Sequence, residues 1–185
     1  MPNCYSFKNF IELTERESDE VLQGRNDEQV RRWMASDRLI TPDEHRRFMA
    51  SLKMSVTQIY LRVERTGRFV GVYSLTDLRD RSAVGGFWIA AYARERLLSL
   101  SVVFHSIGYV FNNCPIESIR GYQLADNQPV AKLNALLGFV HGEAPANPDP
   151  RMRYLELVRE SWESGASRDR KLLKLIKLAE NMNED

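Results

Sequence analysis

The most constraining feature of this 185-residue sequence is a long apolar helix face in the middle of the chain. From Arg94 onwards, large apolar side chains recur at helical spacing for roughly five turns. They are Leu97, Leu98, Val102, Phe104, Ile107 and Phe111. Other elements must cover this face, because apolar area of that extent is unfavourable in water. The sequence therefore predicts a largely buried helix within one compact domain.

Segments of alternating apolar and polar residues flank this helix on both sides. The predicted strands are residues 7–13, 58–64, 69–75, 84–89, 116–124 and 153–159. Thr66-Gly67 supplies a hairpin turn between the second and third strands. We therefore expect the second, third and fourth strands to lie side by side and antiparallel, with a helix at 129–137 between the last two strands.

Two helical segments are predicted between the first and second strands. The first segment starts at a cap formed by Ser18 or Asp19. Later in the same segment, a second run of helical spacing places Val30, Trp33 and Met34 on one face. The other begins at Thr41-Pro42-Asp43-Glu44, where threonine and glutamate form a capping box around a proline at the first helical position. The predicted element order is β-α-α-β-β-β-α-β-α-β.

Residues 169–182 form a further amphipathic helix with a basic outer face. Leu172, Leu175, Ile176 and Ala179 recur at helical spacing. Packing of this helix on the domain or on a second subunit is favoured over binding to an anionic membrane surface. We accordingly divide the chain into a domain at 1–160 and a C-terminal helical extension at 161–185.

Charge and cysteine usage argue against several function classes. The 26 basic residues are balanced by 25 acidic residues, so no overall field attracts nucleic acid or a membrane. Cys4 and Cys114 are isolated, which favours reduced thiols over a disulfide, and no metal site is predicted. The N-terminus lacks a signal-like pattern and no apolar run reaches membrane-span length. We expect a cytoplasmic protein.

Two motifs connect this element order to a known family. They are Asp126-Asn127-Gln128-Pro129-Val130-Ala131 followed by Leu136-Leu137-Gly138-Phe139, and Gly71-Val72-Tyr73-Ser74-Leu75-Thr76. Together they resemble the GNAT acyl-CoA N-acyltransferases. The resemblance implies the GNAT fold, of α/β (α+β) class, with a mixed and largely antiparallel central sheet flanked by helices and an extra C-terminal helix. It also implies acetyl-CoA as co-substrate, with Asn127 facing the pantetheine.

Residues upstream narrow the resemblance. Arg25-Asn26, Val30-Arg31-Arg32-Trp33-Met34, Ile40-Thr41 and Glu44-His45 with Phe48 resemble acetyltransferases of pseudaminic acid synthesis, which act on UDP-linked 4-amino sugars used in flagellin glycosylation. The resemblance spans about residues 5 to 160. It implies substrate contacts from Arg25, Met34, His45, Phe48, Ser74 and Thr76. An arginine can hold a nucleotide phosphate, although a surface ion pair for Arg25 and a helix-surface position for His45 are alternatives.

The phosphate loop departs from the family pattern Arg/Gln-x-x-Gly-x-Gly/Ala. Glycines there let backbone amides approach the phosphates, but residues 91–101 contain no glycine. One register begins at Arg96 and places Ser99 and Ser101 in the glycine positions, and the other begins at Arg94. The resemblance implies cofactor contacts from Tyr92, Arg94, Arg96, Ser99, Ser101, Asn127 and Asn134.

The family's chemistry is direct attack of an amine on the acetyl thioester, with a strand amide polarising the carbonyl. His45 or Glu44 is the predicted base, and Ser74 completes the predicted catalytic set. Asn134 stands where the family commonly has a tyrosine that protonates the leaving thiolate. An amide is no acid, so either water or another group, such as Tyr92 or His105, supplies that proton, or protonation does not limit the rate.

The sequence thus predicts an acetyl-CoA-dependent N-acetyltransferase acting on a nucleotide-linked amino sugar. Another small amine, such as an antibiotic, a polyamine or a protein N-terminus, is a further acceptor class. Homodimerisation is suggested by analogy with fold relatives. The alternative is a catalytically degenerate GNAT-like binding or regulatory protein, motivated by the glycine-free loop and Asn134.

Overall fold

The computed structural model describes residues 4–34, 36–94 and 98–182, and a seven-stranded sheet runs through it. The strands are β1 Tyr5–Asn9, β2 Ile59–Arg65, β3 Arg68–Arg79, β4 Ser82–Ile89, β5 Ser118–Leu124, β6 Val140–His141 and β7 Met152–Val158. Their spatial order is β1-β2-β3-β4-β5-β7-β6. Every neighbouring pair is antiparallel except β4 and β5, which are parallel. The predicted mixed, largely antiparallel GNAT sheet is confirmed.

Seven α-helices connect or follow these strands in the described residues. They are α1 Glu15–Asn26, α2 Glu28–Arg31, α3 Pro42–Leu52, α4 Leu98–Asn113, α5 Gln128–Leu136, α6 Arg159–Ser164 and α7 Arg170–Asn181. The capping box of Thr41 and Glu44 forms as predicted at the start of α3. The cap of α1 was predicted wrongly, because Thr14 and Glu17 form a second capping box and start that helix before Ser18.

The larger core lies between the sheet and α4. Leu98, Val102, Ile107 and Phe111 of α4 are buried there, as the apolar periodicity predicts, and Val103 and Val110 are buried with them. Arg94 does not belong to the helix, since residues 91–93 form a 3-10 turn that ends at Arg94, and the described part of the helix is Leu98–Asn113. The predicted core position Leu97 lies outside the described residues.

Helices α1 to α3 cover the opposite face of the sheet. Phe10, Val21, Leu52, Phe69 and Val72 form a second, smaller core there. The contact is close where α1 crosses β4, since a Cβ at Gly24 would lie 2.9 Å from Cη2 of Trp88. Any larger residue at this position would therefore have to displace the Trp88 ring.

Other differences from the prediction follow from local hydrogen bonds and from length. The first strand ends at Asn9, whose side chain accepts from the N–H of Ile11 and starts a 3-10 turn. Helix α6 and strand β6 were not predicted, because six and two residues are too short to show a period. Helix α2 ends at Arg31, so Trp33 lies beyond it and is exposed.

The C-terminal helix α7 packs on the same chain. Asp169 caps it, and Leu172, Ile176 and Ala179 are buried beside α4. Its apolar face is therefore covered within the chain, which agrees with the first of the two alternatives. Among the described helices, none has the length and apolar character needed to cross a membrane.

Replacing Ile176 by alanine tests this packing. Ile176 is 3% exposed, so its truncation is expected to lower the free energy of unfolding by about 2 to 5 kcal/mol. Urea unfolding measures the change, and Lys177→Ala on the exposed side of the same helix is the matched control. Equal stabilities for the two variants would contradict burial of α7 on the domain.

Candidate active site

The parallel contact between β4 and β5 is short. Only Ser82 with Ser118, Ala83 with Ile119, and Val84 with Arg120 are paired. Beyond them, β4 stays paired with β3 as far as Ile89, and β5 stays paired with β7 as far as Leu124. Residues 85–89 and 121–124 therefore border an open wedge in the described sheet. Their facing backbone groups can bind an extended, amide-containing chain as a sheet edge does.

One row of residues crosses the sheet at the mouth of this wedge. Tyr60 pairs with Ser74, and Ser74 pairs with Gly86. Extending the β4–β5 register by two residues sets Tyr122 opposite Gly86 across the wedge. Paired residues point to the same face, which here is the face covered by α1 to α3. We call Tyr60, Ser74, Gly86 and Tyr122 the cup.

Small residues form the floor of the cup and aromatic residues form its walls. Ser74 Oγ donates to the carbonyl of Gly86 at 3.3 Å. A Cβ at Gly86 would lie only 3.0 Å from Ser74 Oγ. The Phe48 ring meets Tyr60 edge to face with centroids 5.0 Å apart. Burial, with a smaller contribution from nearby Tyr122, raises the pKa of Tyr60. The Tyr60 phenol is therefore neutral at physiological pH.

A second polar row closes the narrow end of the wedge. Thr76 Oγ1 donates to the carbonyl of Val84 at 3.4 Å. Arg120 donates to Asp77 at 2.9 Å and to Ser82 at 3.1 Å. These bonds hold the strands together at the point from which they part.

The structure brings three predicted substrate residues together. Phe48, Ser74 and Thr76 all lie in or beside the cup. The sequence analysis missed Tyr60, Gly86 and Tyr122. Alternation marks each of their strands, but only the pairing register brings the three residues into one row.

A group of arginines lies next to the wedge. Arg25, Arg31, Arg32 and Arg94, here called the arginine cluster, have no carboxylate within 4.0 Å in the part of the chain that the structure describes. Burial, followed by the charge of Arg31, lowers the pKa of Arg25. Burial, followed by the charge of Arg32, lowers the pKa of Arg94, while the charge of Asp27 opposes that shift. The guanidinium groups depress one another and no described carboxylate pairs with them directly, which favours binding of an anion.

Backbone carbonyls orient this cluster. Arg94 donates to the carbonyl of Gln29 in α2 at 2.7 Å, and Arg25 donates to that of Ser36 at 3.1 Å. Arg25 Nη1 is buried with no hydrogen-bond partner among the described residues. Gly24 packs on Trp88, which shares its sheet face with Gly86 about 7 Å away along the strand. The cluster therefore lies near the cup.

The two predicted bases are occupied elsewhere. His45 is 7% exposed, and its Nε2 lies 2.9 Å from Ser18 Oγ and 3.1 Å from the Ser18 carbonyl. The Glu44 carboxylate accepts from the N–H of Thr41 at 2.9 Å and from Arg38 at 2.8 Å. Those hydrogen bonds lower the pKa of Glu44. His45 links α3 to α1, and Glu44 caps the start of α3. The structure therefore does not favour either residue as the base.

Most predicted cofactor residues also have structural contacts. Ser101 is fully buried, accepts from the Tyr5 hydroxyl at 2.8 Å and donates to Glu180 at 2.9 Å, so its side chain cannot face the phosphates. Asn127 caps α5 through the N–H of Val130. Asn134 donates to Gln123 at 2.6 Å.

The remaining predicted site residues lie in different surroundings. Ser99 is half-buried in the first turn of α4. The Tyr92 hydroxyl donates to the carbonyl of Phe69. Met34 is half-buried beyond α2, and the structure does not bring it to the cup. Arg96 lies outside the described residues.

A separate cavity of about 800 Å³ lies between α1 and the β2–β3 turn. Its buried Arg62 donates to Glu20 and Glu64 and stacks on Phe69. These contacts hold the Arg62 side chain in the wall of the cavity. No cluster of three metal-ligating side chains occurs among the described residues.

Comparison with known proteins agrees with this geometry. Residues 9–140 match the family model of the acetyltransferase (GNAT) domain. Acetyltransferase PseH of Campylobacter jejuni is 26% identical over 128 residues, which cover 68% of this chain and 78% of PseH.

Solved structures share the fold at low identity. Campylobacter jejuni PseH in complex with acetyl coenzyme A has a TM-score of 0.65 and 17% identity, over 84% of this chain and 99% of that one. Spermidine N-acetyltransferase from Vibrio cholerae, in complex with CoA and spermine, has a TM-score of 0.75 and 13% identity. The match covers 86% of this chain and 98% of that one.

The structural position of His45 predicts a pH dependence of stability. Burial lowers the pKa of His45, so the unfolded chain binds more protons at mildly acidic pH. The contribution of neutral His45 is therefore complete above the ordinary histidine pKa and declines as pH falls below it. Urea unfolding is measured between pH 7.5 and 5. The free energy of unfolding is expected to fall less on acidification in His45→Asn than in the parent.

The exposed His141 provides the matched control for this measurement. His141→Asn is expected to keep the parent's pH dependence. An unchanged acid loss in His45→Asn would contradict the burial of a neutral imidazole against Ser18.

Proposed function

Because this chain belongs to the GNAT acetyltransferase family, we propose that it transfers the acetyl group of acetyl-CoA to the amine of a nucleotide-linked amino sugar. The observation that carries the choice of acceptor is the arginine cluster beside the wedge. The likeness to PseH supports the same substrate class.

The wedge provides the acyl-donor side of the site. Unpaired backbone groups of residues 85–89 can hydrogen-bond the pantetheine amides, as a neighbouring strand would. The phosphates would bind near the N-terminal end of α4, with Arg94 before it in the sequence, because a helix N-terminus favours an anion. When bound, acetyl-CoA supplies an activated acyl group, and an N–H of β4 polarises its carbonyl.

The cup provides the acceptor side. Ser74 and Thr76 use their hydroxyl protons on carbonyls of β4, so their lone pairs remain to accept from an amine or a sugar hydroxyl. Tyr60 and Phe48 form an apolar wall suited to one face of a sugar ring. These groups hold the amine over the wedge without acting as a strong base.

The arginine cluster selects among acceptors. Guanidinium groups without a directly paired carboxylate favour a diphosphate, which accepts paired charge-assisted hydrogen bonds. The same charges repel a polyamine such as spermidine. An anionic, nucleotide-linked amine therefore fits this site better than a polycation.

Asn134 supports a second candidate, in which the chain binds a ligand or partner without transferring acetyl groups. Its amide is hydrogen-bonded to Gln123 and cannot act as an acid. In addition, residues 91–101 lack the glycines of the usual phosphate loop. Acetyl-CoA titration by calorimetry separates the two candidates, since only the enzyme requires the donor.

An acceptor panel tests the proposed reaction. CoA release is measured with acetyl-CoA and a UDP-linked 4-amino sugar, spermidine, an aminoglycoside or a peptide with a free N-terminus. The nucleotide sugar is expected to react fastest. Arg25→Ala is expected to raise its KM by about 10- to 100-fold, the cost of losing charged hydrogen bonds.

Arg46→Ala is the matched control, because Arg46 is exposed and pairs only with Asp43 on α3 among the described residues. Its KM is expected to match the parent. Preference for spermidine would contradict the anionic acceptor class, and absence of acetyl-CoA binding would favour the second candidate.

A further inference from the structure

Acetyl transfer to an amine requires one proton to move. The nitrogen releases a proton as the amide forms, and the departing sulfur takes one as the thioester breaks. Asn134 cannot supply it, and its side chain is held by Gln123. His105 is bound to Glu180 at 2.8 Å on the α4 side of the sheet, away from the cup.

Five of the seven tyrosines are placed or bonded away from this task. The hydroxyls of Tyr5 and Tyr92 donate to Ser101 and to the Phe69 carbonyl. Tyr154 pairs with Tyr122 but stands on β7, one strand farther from the wedge, where its hydroxyl accepts from the N–H of Asp149 at 2.9 Å. The other two, Tyr73 and Tyr109, belong to the α4 side of the sheet.

The remaining two tyrosines, Tyr60 and Tyr122, face the cup from opposite sides. Neither hydroxyl has a hydrogen-bond partner among the described residues. The Tyr60 ring packs against Phe10 and Phe48, and its hydroxyl stands on β2, two strands from the wedge. Tyr122 stands on β5, which borders the wedge itself, and is 57% exposed. Its ring therefore borders the proposed acyl-donor site and is open to water, with which its hydroxyl can exchange protons.

We propose that Tyr122 is the catalytic residue that protonates the leaving sulfur, in place of the tyrosine that Asn134 replaces. This inference rests on the proposed acetyl transfer. The new carbon–nitrogen bond forms as the carbon–sulfur bond breaks, and the sulfur leaves with the bonding electron pair. It takes the proton of Tyr122 Oη, and the phenolate regains a proton from the nitrogen through water.

Tyr122→Phe tests this role in the full chain with acetyl-CoA and the UDP-linked 4-amino sugar. The kcat is expected to fall by about 10²-fold, the usual contribution of a general acid, while both KM values stay within about threefold. Tyr109→Phe is the control, since Tyr109 stacks on Phe7 on the other side of the sheet. An unchanged kcat in Tyr122→Phe, or a loss only in Tyr60→Phe, would overturn the assignment.

A second measurement does not depend on turnover. Tyr122→3-fluorotyrosine and Tyr109→3-fluorotyrosine are compared by fluorine NMR as free CoA is added. Only the resonance at 122 is expected to move, because only that ring borders the wedge. If calorimetry shows CoA binding and this resonance stays still, Tyr122 is not the proton donor. If CoA does not bind, the proposed function fails first.

Discussion

The rest of the structure depends on the short parallel contact between β4 and β5. Three paired positions join the two halves of the sheet, and each half is otherwise held by its own antiparallel partners. The wedge, its unpaired backbone groups and the meeting of Gly86 with Tyr122 all follow from that contact. A fully paired sheet would have satisfied these backbone groups and left no room for an acyl donor.

The two faces of the sheet have separate tasks. Helices α1 to α3 form the acceptor side, where Phe48 and the arginine cluster approach the cup. On the other side, Tyr5, Ser101, His105 and Glu180 form a polar network that fixes α7 against the first turn of α4. Burial raises the pKa of Tyr5, so its phenol remains a neutral donor within this network. Ser101 thus stabilises the helix that starts at the wedge instead of contacting the phosphates.

Local patterns predicted most of the elements, because helix caps and apolar periods are properties of neighbouring residues. The capping box at Thr41, the turn at Thr66-Gly67 and the buried face of α4 are examples. Predictions failed where one hydrogen bond moved a boundary, as at Asn9, or where an element was too short to show a period, as in α6. Side-chain contacts were harder to predict, since Ser101 and His45 are bonded to Glu180 and Ser18, which no local pattern brings near them.

The sequence by itself determined the fold family and the buried central helix, because motifs and apolar periods carry that information within each segment. The grouping of Phe48, Ser74 and Thr76 was implied by the family resemblance alone. Only the tertiary structure decided which hydroxyl groups face the wedge. Tyr60, Gly86 and Tyr122 come from three strands, and they meet because strand register, a long-range property, aligns them in one row.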